Sequence, residues 1–469
     1  MSGPTVHGAG DTGDTGDNCV AVLGAGLTGS LLAVLLARRG HAVDLYERQP
    51  DLRTHTTQGG RSINLALAAR GRRGLALAGL SEAVQPLLMP MSGRLLHQED
   101  GGLDFQPYGQ HEGEQNYSIS RADLNRVLLD AAEAAGARLH FGEACAGIDL
   151  DARRATLRHE QTGAERQVAM APLIAADGAG SLVRRALAEA GHISASESLL
   201  AHGYKELTIP PADDGGFRID PGALHIWPRG GFMLIALPNP GGDFTVTLFL
   251  PNEGPESFAS LDDEASVQEF FERHFPDTPA LIPDLAQQFA ANPVGILGTV
   301  RCEPWNLGGD VLLVGDAAHA IVPFHGQGMN AGFEDCAEFC RLLDDGCDDR
   351  GRLFGEFSRL RRPNAEAIAD MALENYVEMR DTVRDPRFHL KKALAFELER
   401  RCPDRFVPRY SMVMFHAEIP YAEALARGEL QARLLDELTA GADALADVDL
   451  ALAERLVRER LAPLPCAPA

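Results

Sequence analysis

Hydrophobic and polar positions alternate along this chain in three rhythms. From Cys19 an apolar run, CVAVL, breaks at Gly24, Gly26 and Gly29, continues in a helical pattern to about Arg39, and resumes after Gly40 as AVDLYE. This predicts a strand ending near Leu23, a glycine turn, a helix and a second parallel strand, a compact βαβ unit. RADLNRVLLDAAEAAGARLHFG, from Arg121, reads as an amphipathic helix stopped by Gly136 before a short strand. In PLIAADGAGSLVRRAL an apolar strand meets Asp177 and Gly178 ahead of a basic helix start. Between about 200 and 300 the rhythm shortens: ALHIWPRGGFMLIALPNPGGDFTVTLFLP carries β-rich runs split by Gly, Pro and Asn, as in an antiparallel sheet. The α/β character returns at GDVLLVGDAAHAIVPFHGQGMN, and beyond about Arg352 the chain is helical and highly charged.

At 469 residues the chain is long enough for two or three domains. Its 67 acidic and 43 basic side chains leave a net charge of -24, which repels nucleic acid and anionic membranes, so neither is an expected partner. Eight cysteines are dispersed with no Cys-x-x-Cys pair. Cys336 and Cys340 share a helix face, but no second pair completes a metal site, so packing is expected and no metal. The first 18 residues form a Gly/Asp/Thr leader without the features of a signal peptide, expected to be disordered. LLAVLLA from Leu31 falls far short of the roughly 20 apolar residues that cross a bilayer. A soluble cytoplasmic protein is expected.

Chemistry concentrates at two glycine-rich elements. Gly24 permits a tight turn, Gly26 lets backbone approach a pyrophosphate, and Gly29 lets the helix opened by Leu27 and Thr28 pack close on the strand. Phosphates would meet the positive end of that helix. Glu47, at the end of the second strand and followed by Arg48, can accept both hydroxyls of an adenosine ribose. Structural turn glycines are the bland alternative, and a lone Gly-x-Gly-x-x-Gly would not exclude it; the flanking strand, helix and carboxylate favour a dinucleotide. Which dinucleotide is decided downstream. There a strand delivers Gly315 and Asp316, and Pro323, Gly326, Gln327, Gly328, Met329 and Asn330 lead into a helix. A carboxylate after a strand can bind a ribityl hydroxyl, and a glycine-rich helix start can cradle phosphate and the electron-rich edge of an isoalloxazine. Nicotinamide has no ribityl chain, so the expected cofactor is FAD, held without a covalent bond.

This set of motifs resembles the single-component FAD aromatic hydroxylases, whose fold is that of para-hydroxybenzoate hydroxylase. The N-terminal glycines, the Asp177-Gly178 element and the Gly315-Asp316 box occur in the family's order from about 19 to 380. The resemblance implies an α/β fold with a Rossmann-type FAD-binding domain, an inserted antiparallel substrate domain and a helical C-terminal region. The expected organisation is a leader at 1-18, the FAD-binding domain over 19-200 with substrate-domain segments near 60-115, and a mainly β substrate domain over 201-300. The FAD-binding domain closes over 301-350, and helices over 351-469 cover the active site. The family also implies that Arg121 reaches the cofactor near its pyrophosphate, that Asp177 helps hold FAD, and that NADPH binds transiently with O2 as co-substrate. Arg184 and Arg185 could touch that NADPH or simply form a solvated helix face.

Within the family, GGRSINLALAARG, MSGRLLH, QPYGQ, VPFHGQGMNAGFEDC, LENYVEMRD and VPRYSMVMF resemble the kynurenine-hydroxylating members. That implies hydroxylation of L-kynurenine to 3-hydroxy-L-kynurenine through a flavin C4a-hydroperoxide, in tryptophan catabolism with a link to NAD biosynthesis. Carried onto this chain, Arg94, Tyr108, Asn375 and Tyr410 would bind the amino-acid head, while Phe324, His325 and Met379 would line the aromatic end. A guanidinium fork is the best match for a free carboxylate. No catalytic side chain is demanded, because the aniline already activates the ring; His325 could supply polarity or act as an acid. A hydroxylase of another aromatic acid, or a flavin-dependent reductase of the same fold, remains the alternative. No C-terminal hydrophobic anchor is visible, and a monomer or homodimer is expected.

Overall fold

The computed structural model describes residues 19-54, 64-169, 172-347, 349-381 and 385-464. The leader at 1-18 and the GGRSI portion of the motif ending in NLALAARG lie outside the described residues. A six-stranded sheet forms the first body, in the order Asn306–Leu307, Val311–Leu313, Leu173–Ala175, Cys19–Leu23, Ala42–Glu47, Arg138–Phe141. All of its pairs are parallel except the outermost one at Asn306–Leu307. Parallel strands need cover on both faces. The helix Leu27–Arg38 buries nine of its twelve residues and packs beneath Arg121–Ala134 and Gly328–Asp344, which explains why its sequence is apolar nearly all round.

The second body is a seven-stranded sheet in the order Gly295–Glu303, Ser194–Ile209, Phe244–Pro251, Met233–Pro238, Ala223–Pro228, Gly93–His97, Leu103–Pro107. Alternation along its strands divides its two faces. Leu234, Ala236, Phe244, Val246 and Leu248 point into a core completed by the helices Glu264–His274 and Leu285–Ala291. Met233, Ile235, Leu237, Thr245, Thr247 and Phe249 point the other way, toward a cavity. The stretch between 201 and 300 is therefore not uniformly β. An apolar sheet face must be covered, and Val267, Phe270 and Phe271 do so from a helix capped by a reciprocal Asp263–Ser266 pair.

The C-terminal region is helical, led by the helix Arg350–Arg380 and followed by Pro386–Arg401, Arg409–Met414, Tyr421–Thr439 and Leu450–Arg460. Its residues close the remaining side of the cavity. Among the described residues no helix is long and apolar enough to cross a membrane. Cys336 and Cys340 are buried in the helix Gly328–Asp344, where Cys336 Sγ lies 3.4 Å from the Thr28 carbonyl, in keeping with packing.

Candidate active site

At the N-terminal turn the three glycines serve different ends. Gly24 has φ +96°, and a Cβ there would come within 2.4 Å of the Ala176 carbonyl oxygen. At Gly29 a Cβ would meet the Gly24 oxygen at 2.0 Å. Gly26 differs: nothing lies within 4 Å of where its Cβ would point. It caps the helix beginning at Leu27 without any side-chain hydrogen bond, so the first-turn N–H groups carry no side-chain cap, as an anion site allows. Glu47 Oε2 accepts from Ala25 N at 2.9 Å, joining the second strand to the turn. Leu27 is core, and Thr28 is wedged where a Cβ at Gly315 or Gly332 would strike its hydroxyl. Arg48 and Arg121 are exposed. Asp177 lies beside the turn with Gly178 at φ +83°. Its Oδ2 accepts from Leu182 N at 3.0 Å, while Oδ1 is buried with no partner, and burial raises its pKa.

The second element ends in a conformation open to glycine: Gly315 has φ +57°, ψ -141°. Its N–H is held by Asp335 Oδ2 at 3.0 Å, and Asp335 is buried between His319 at 2.5 Å and Arg361 at 2.8 Å. Asp316, exposed, opens the single helical turn that follows. After the 3-10 turn Pro323–His325, Gly326 is left-handed at φ +68°. Asn330 staples this loop, donating to the Gly326 and Ala66 carbonyls, both at 2.8 Å, and accepting from Ala68 N at 2.9 Å. Gln327 turns its side chain away, accepting from the Tyr421 hydroxyl at 2.6 Å. The helix start at Gly328 thus offers backbone N–H groups, with Met329 buried behind it.

Between the loop and the second sheet lies a cavity of about 450 Å³. Asp316, Pro323 and Gly326 stand on its wall with all seven substrate-pocket candidates, Arg94, Tyr108, Phe324, His325, Asn375, Met379 and Tyr410. One end is apolar. Phe324 stacks on Tyr376 with centroids 3.8 Å apart, and Asn375 pins it by donating to its carbonyl at 2.6 Å. Asn375 also reaches Met379 Sδ at 3.2 Å, one turn along the same helix.

The other end is polar. The Arg94 guanidinium stands 4.8 Å from the Tyr410 ring centre and 6.0 Å from that of Tyr108. It is 6% exposed, donates from Nη1 to Glu378 at 3.2 Å, and has an unpartnered Nε. A buried fork with spare donors has the geometry to take a carboxylate. Tyr108 and Tyr410 stack at 5.6 Å, and Asn116 donates to the Tyr410 hydroxyl at 3.2 Å. His325 stacks on Tyr410 at 5.5 Å with its Nδ1 unpartnered. Burial pushes its pKa down to about 3, so the imidazole is neutral at physiological pH.

The surroundings of several residues beside these sites escaped the sequence reading. Asn125, one turn past Arg121, donates to the Ala25 carbonyl at 2.9 Å and leaves a buried Oδ1 free beside the turn. Asn116 and Glu378 belong to the polar end; only the (i, i+3) offset of Glu378 from Asn375 hinted at a shared face. Arg184 is neither a solvated residue nor free for a nucleotide. It is 1% exposed and donates to the Ala317 and Ala179 carbonyls and to Glu197. Arg185 is exposed.

The open helix start beyond Gly26, the orphaned Asp177 Oδ1 and the glycine-lined loop fit FAD laid from the turn to the cavity. The model of the FAD binding domain family matches residues 17–372. Two solved structures share the fold at 20% identity: the tetrameric form of 2-methyl-3-hydroxypyridine-5-carboxylic acid oxygenase (TM-score 0.64, 79% of this chain and 94% of that one) and P. aeruginosa PqsL in complex with 2-aminobenzoylacetate (TM-score 0.61, 78% and 98%). Fold and motifs together define a single-component FAD aromatic hydroxylase. Kynurenine 3-monooxygenase of Myxococcus xanthus is 48% identical over 445 residues, 95% of this chain and 96% of the relative. That of Stenotrophomonas maltophilia is 48% identical over 442 residues, 94% and 97%. The chain belongs to the kynurenine 3-monooxygenase family.

Proposed function

We propose that the protein is an FAD- and NADPH-dependent monooxygenase that converts L-kynurenine, NADPH, H⁺ and O2 to 3-hydroxy-L-kynurenine, NADP⁺ and water. The observation that carries this reading is the cavity with a buried, incompletely paired Arg94 at one end and apolar walls at the other, matching an aromatic α-amino acid. Arg94 would pair with the substrate carboxylate, with the Tyr108 and Tyr410 hydroxyls and Asn375 adding oriented hydrogen bonds. Phe324 and Met379 would clamp the aromatic ring beside Pro323 and exclude water. His325, neutral, would supply an acceptor or donor without a charge that competes with Arg94. Gly24, Gly26, Gly29 and Glu47 would hold the ADP half of FAD, with Arg48, Arg121, Asp177 and Gly178 along its outer edge. Asp316 and the backbone of Gly326, Gln327 and Gly328 would face its flavin half, a loop whose shape depends on Asn330. The chemistry supplied by FAD, once reduced by NADPH, is activation of O2 for insertion of one oxygen atom into the ring. All seven described cysteines are free, which supports a reducing compartment, the cytoplasm, with the chain acting as a monomer or homodimer.

The test is NADPH oxidation by FAD-loaded protein with and without L-kynurenine, with analysis for the 3-hydroxy product and for hydrogen peroxide. Stimulation with matching product is expected. Stimulation with peroxide alone would make L-kynurenine an effector, and no stimulation would overturn the substrate assignment.

A further inference from the structure

A second cavity, of about 280 Å³, adjoins the first. Five residues line both: Arg94, Tyr108, His325, Asn375 and Tyr410. The two spaces are therefore parted by a single layer of side chains, made of the polar end of the first cavity together with Asn375. The second cavity runs outward between the helices Pro386–Arg401 and Tyr421–Thr439. Its rim holds Ala432, which is exposed, and the ion pair of Lys391 with Asp436 at 2.5 Å, both partners substantially exposed.

The charged groups along this passage are not equivalent. Lys391 is paired with Asp436 and Arg409 with Glu374 at 2.6 Å, so their charges are largely spent. Lys392 makes no ion pair or hydrogen bond among the described residues; its ammonium stands 5.8 Å from the Phe396 ring centre. It also acts electrostatically on the Arg94–Glu378 pair, the next charged groups inward. A half-buried, unpaired ammonium one step outside a buried, half-paired guanidinium forms a graded attraction for an anion. Burial lowers the Lys392 pKa to about 8, leaving it mostly protonated near neutrality.

We propose that the second cavity is the antechamber through which substrate enters, with Lys392 as the first partner of an α-amino acid carboxylate that then passes to Arg94. Arrival of that carboxylate engages the Arg94 donors that Glu378 leaves free. The inference rests on the substrate reading above, because it needs a ligand whose carboxylate ends on Arg94. It also gives Tyr410 and His325, stacked across the partition, the role of the inner door.

The experiment follows L-kynurenine binding to the FAD-loaded enzyme, without NADPH, by the stopped-flow change in flavin absorbance. Ala432→Trp, at the rim and remote from the pocket, narrows the passage. Association and dissociation should slow by the same factor, about tenfold, with Kd unchanged. Lys392→Gln should slow association several-fold at low salt and by less at high salt. If Ala432→Trp alters neither rate, or if Lys392→Gln leaves association and its salt dependence as in the parent, substrate enters elsewhere and the antechamber is refuted while the substrate reading stands. If the parent enzyme does not bind L-kynurenine at all, the substrate reading falls and this inference with it.

Discussion

Replacing Arg94 with methionine keeps the apolar stem of the side chain and removes the fork. Arg94 is 6% exposed and its Nε has no partner, so a substrate carboxylate would meet donors already stripped of water. Truncating one side of a desolvated charged pair costs about 3 kcal/mol, and each 1.4 kcal/mol is about tenfold in affinity. Arg94→Met should therefore weaken L-kynurenine binding about 100-fold. Glu378, whose side chain is 28% exposed, can turn to solvent when its partner is lost, so the fold should lose little. Arg94→Lys keeps the charge without the bidentate geometry and should fall between, at about tenfold. The assay is Kd from flavin absorbance, with FAD content measured alongside to exclude a folding defect. If Arg94→Met holds FAD at parent level and changes Kd by less than about threefold, the guanidinium is not the carboxylate partner.

Gly26→Ala places a methyl group in open space, so apoprotein stability should stay within about 0.5 kcal/mol of the parent while FAD retention on gel filtration falls sharply; equal FAD retention would mean that no phosphate approaches that backbone. Gly24→Ala, at φ +96° and against the Ala176 oxygen, should destabilise the apoprotein itself, read from its urea midpoint. Asp335→Ala strips Arg361 and the Gly315 N–H of a buried carboxylate and should cost about 3 to 5 kcal/mol in unfolding free energy. His325 and His225 are buried and titrate near about 3 and about 4 when folded, against 6.5 when unfolded. The unfolded chain thus binds more protons as pH falls below 6.5, and stability drops by roughly 2 kcal/mol per histidine by about pH 5. Urea midpoints at both ends of that window should show a smaller acid loss in His325→Asn; an unchanged loss would contradict a neutral buried imidazole.

Local pattern was enough for the nucleotide half. A βαβ unit is built from contacts close in sequence, so Gly24, Gly26, Gly29 and Glu47 could be placed by periodicity and spacing alone. The glycines at 315 and 326 could be read likewise, because positive φ selects glycine wherever it occurs. Other features depended on contacts that no local pattern encodes. Arg94, Tyr108, Asn375 and Tyr410 come from an edge region of one sheet, a long helix and a short helix, brought together across up to 316 positions of chain. Their meeting around one cavity is a property of packing. So is the burial of Arg184, which a helix-face reading leaves in solvent, and the turning of Gln327 toward Tyr421. Sequence by itself determined which residues could do chemistry, since donor type and backbone freedom are written in each residue. Tertiary structure alone decided which of them are desolvated, left unpaired and aimed at a common space, because desolvation depends on the elements that close over a side chain from far along the chain.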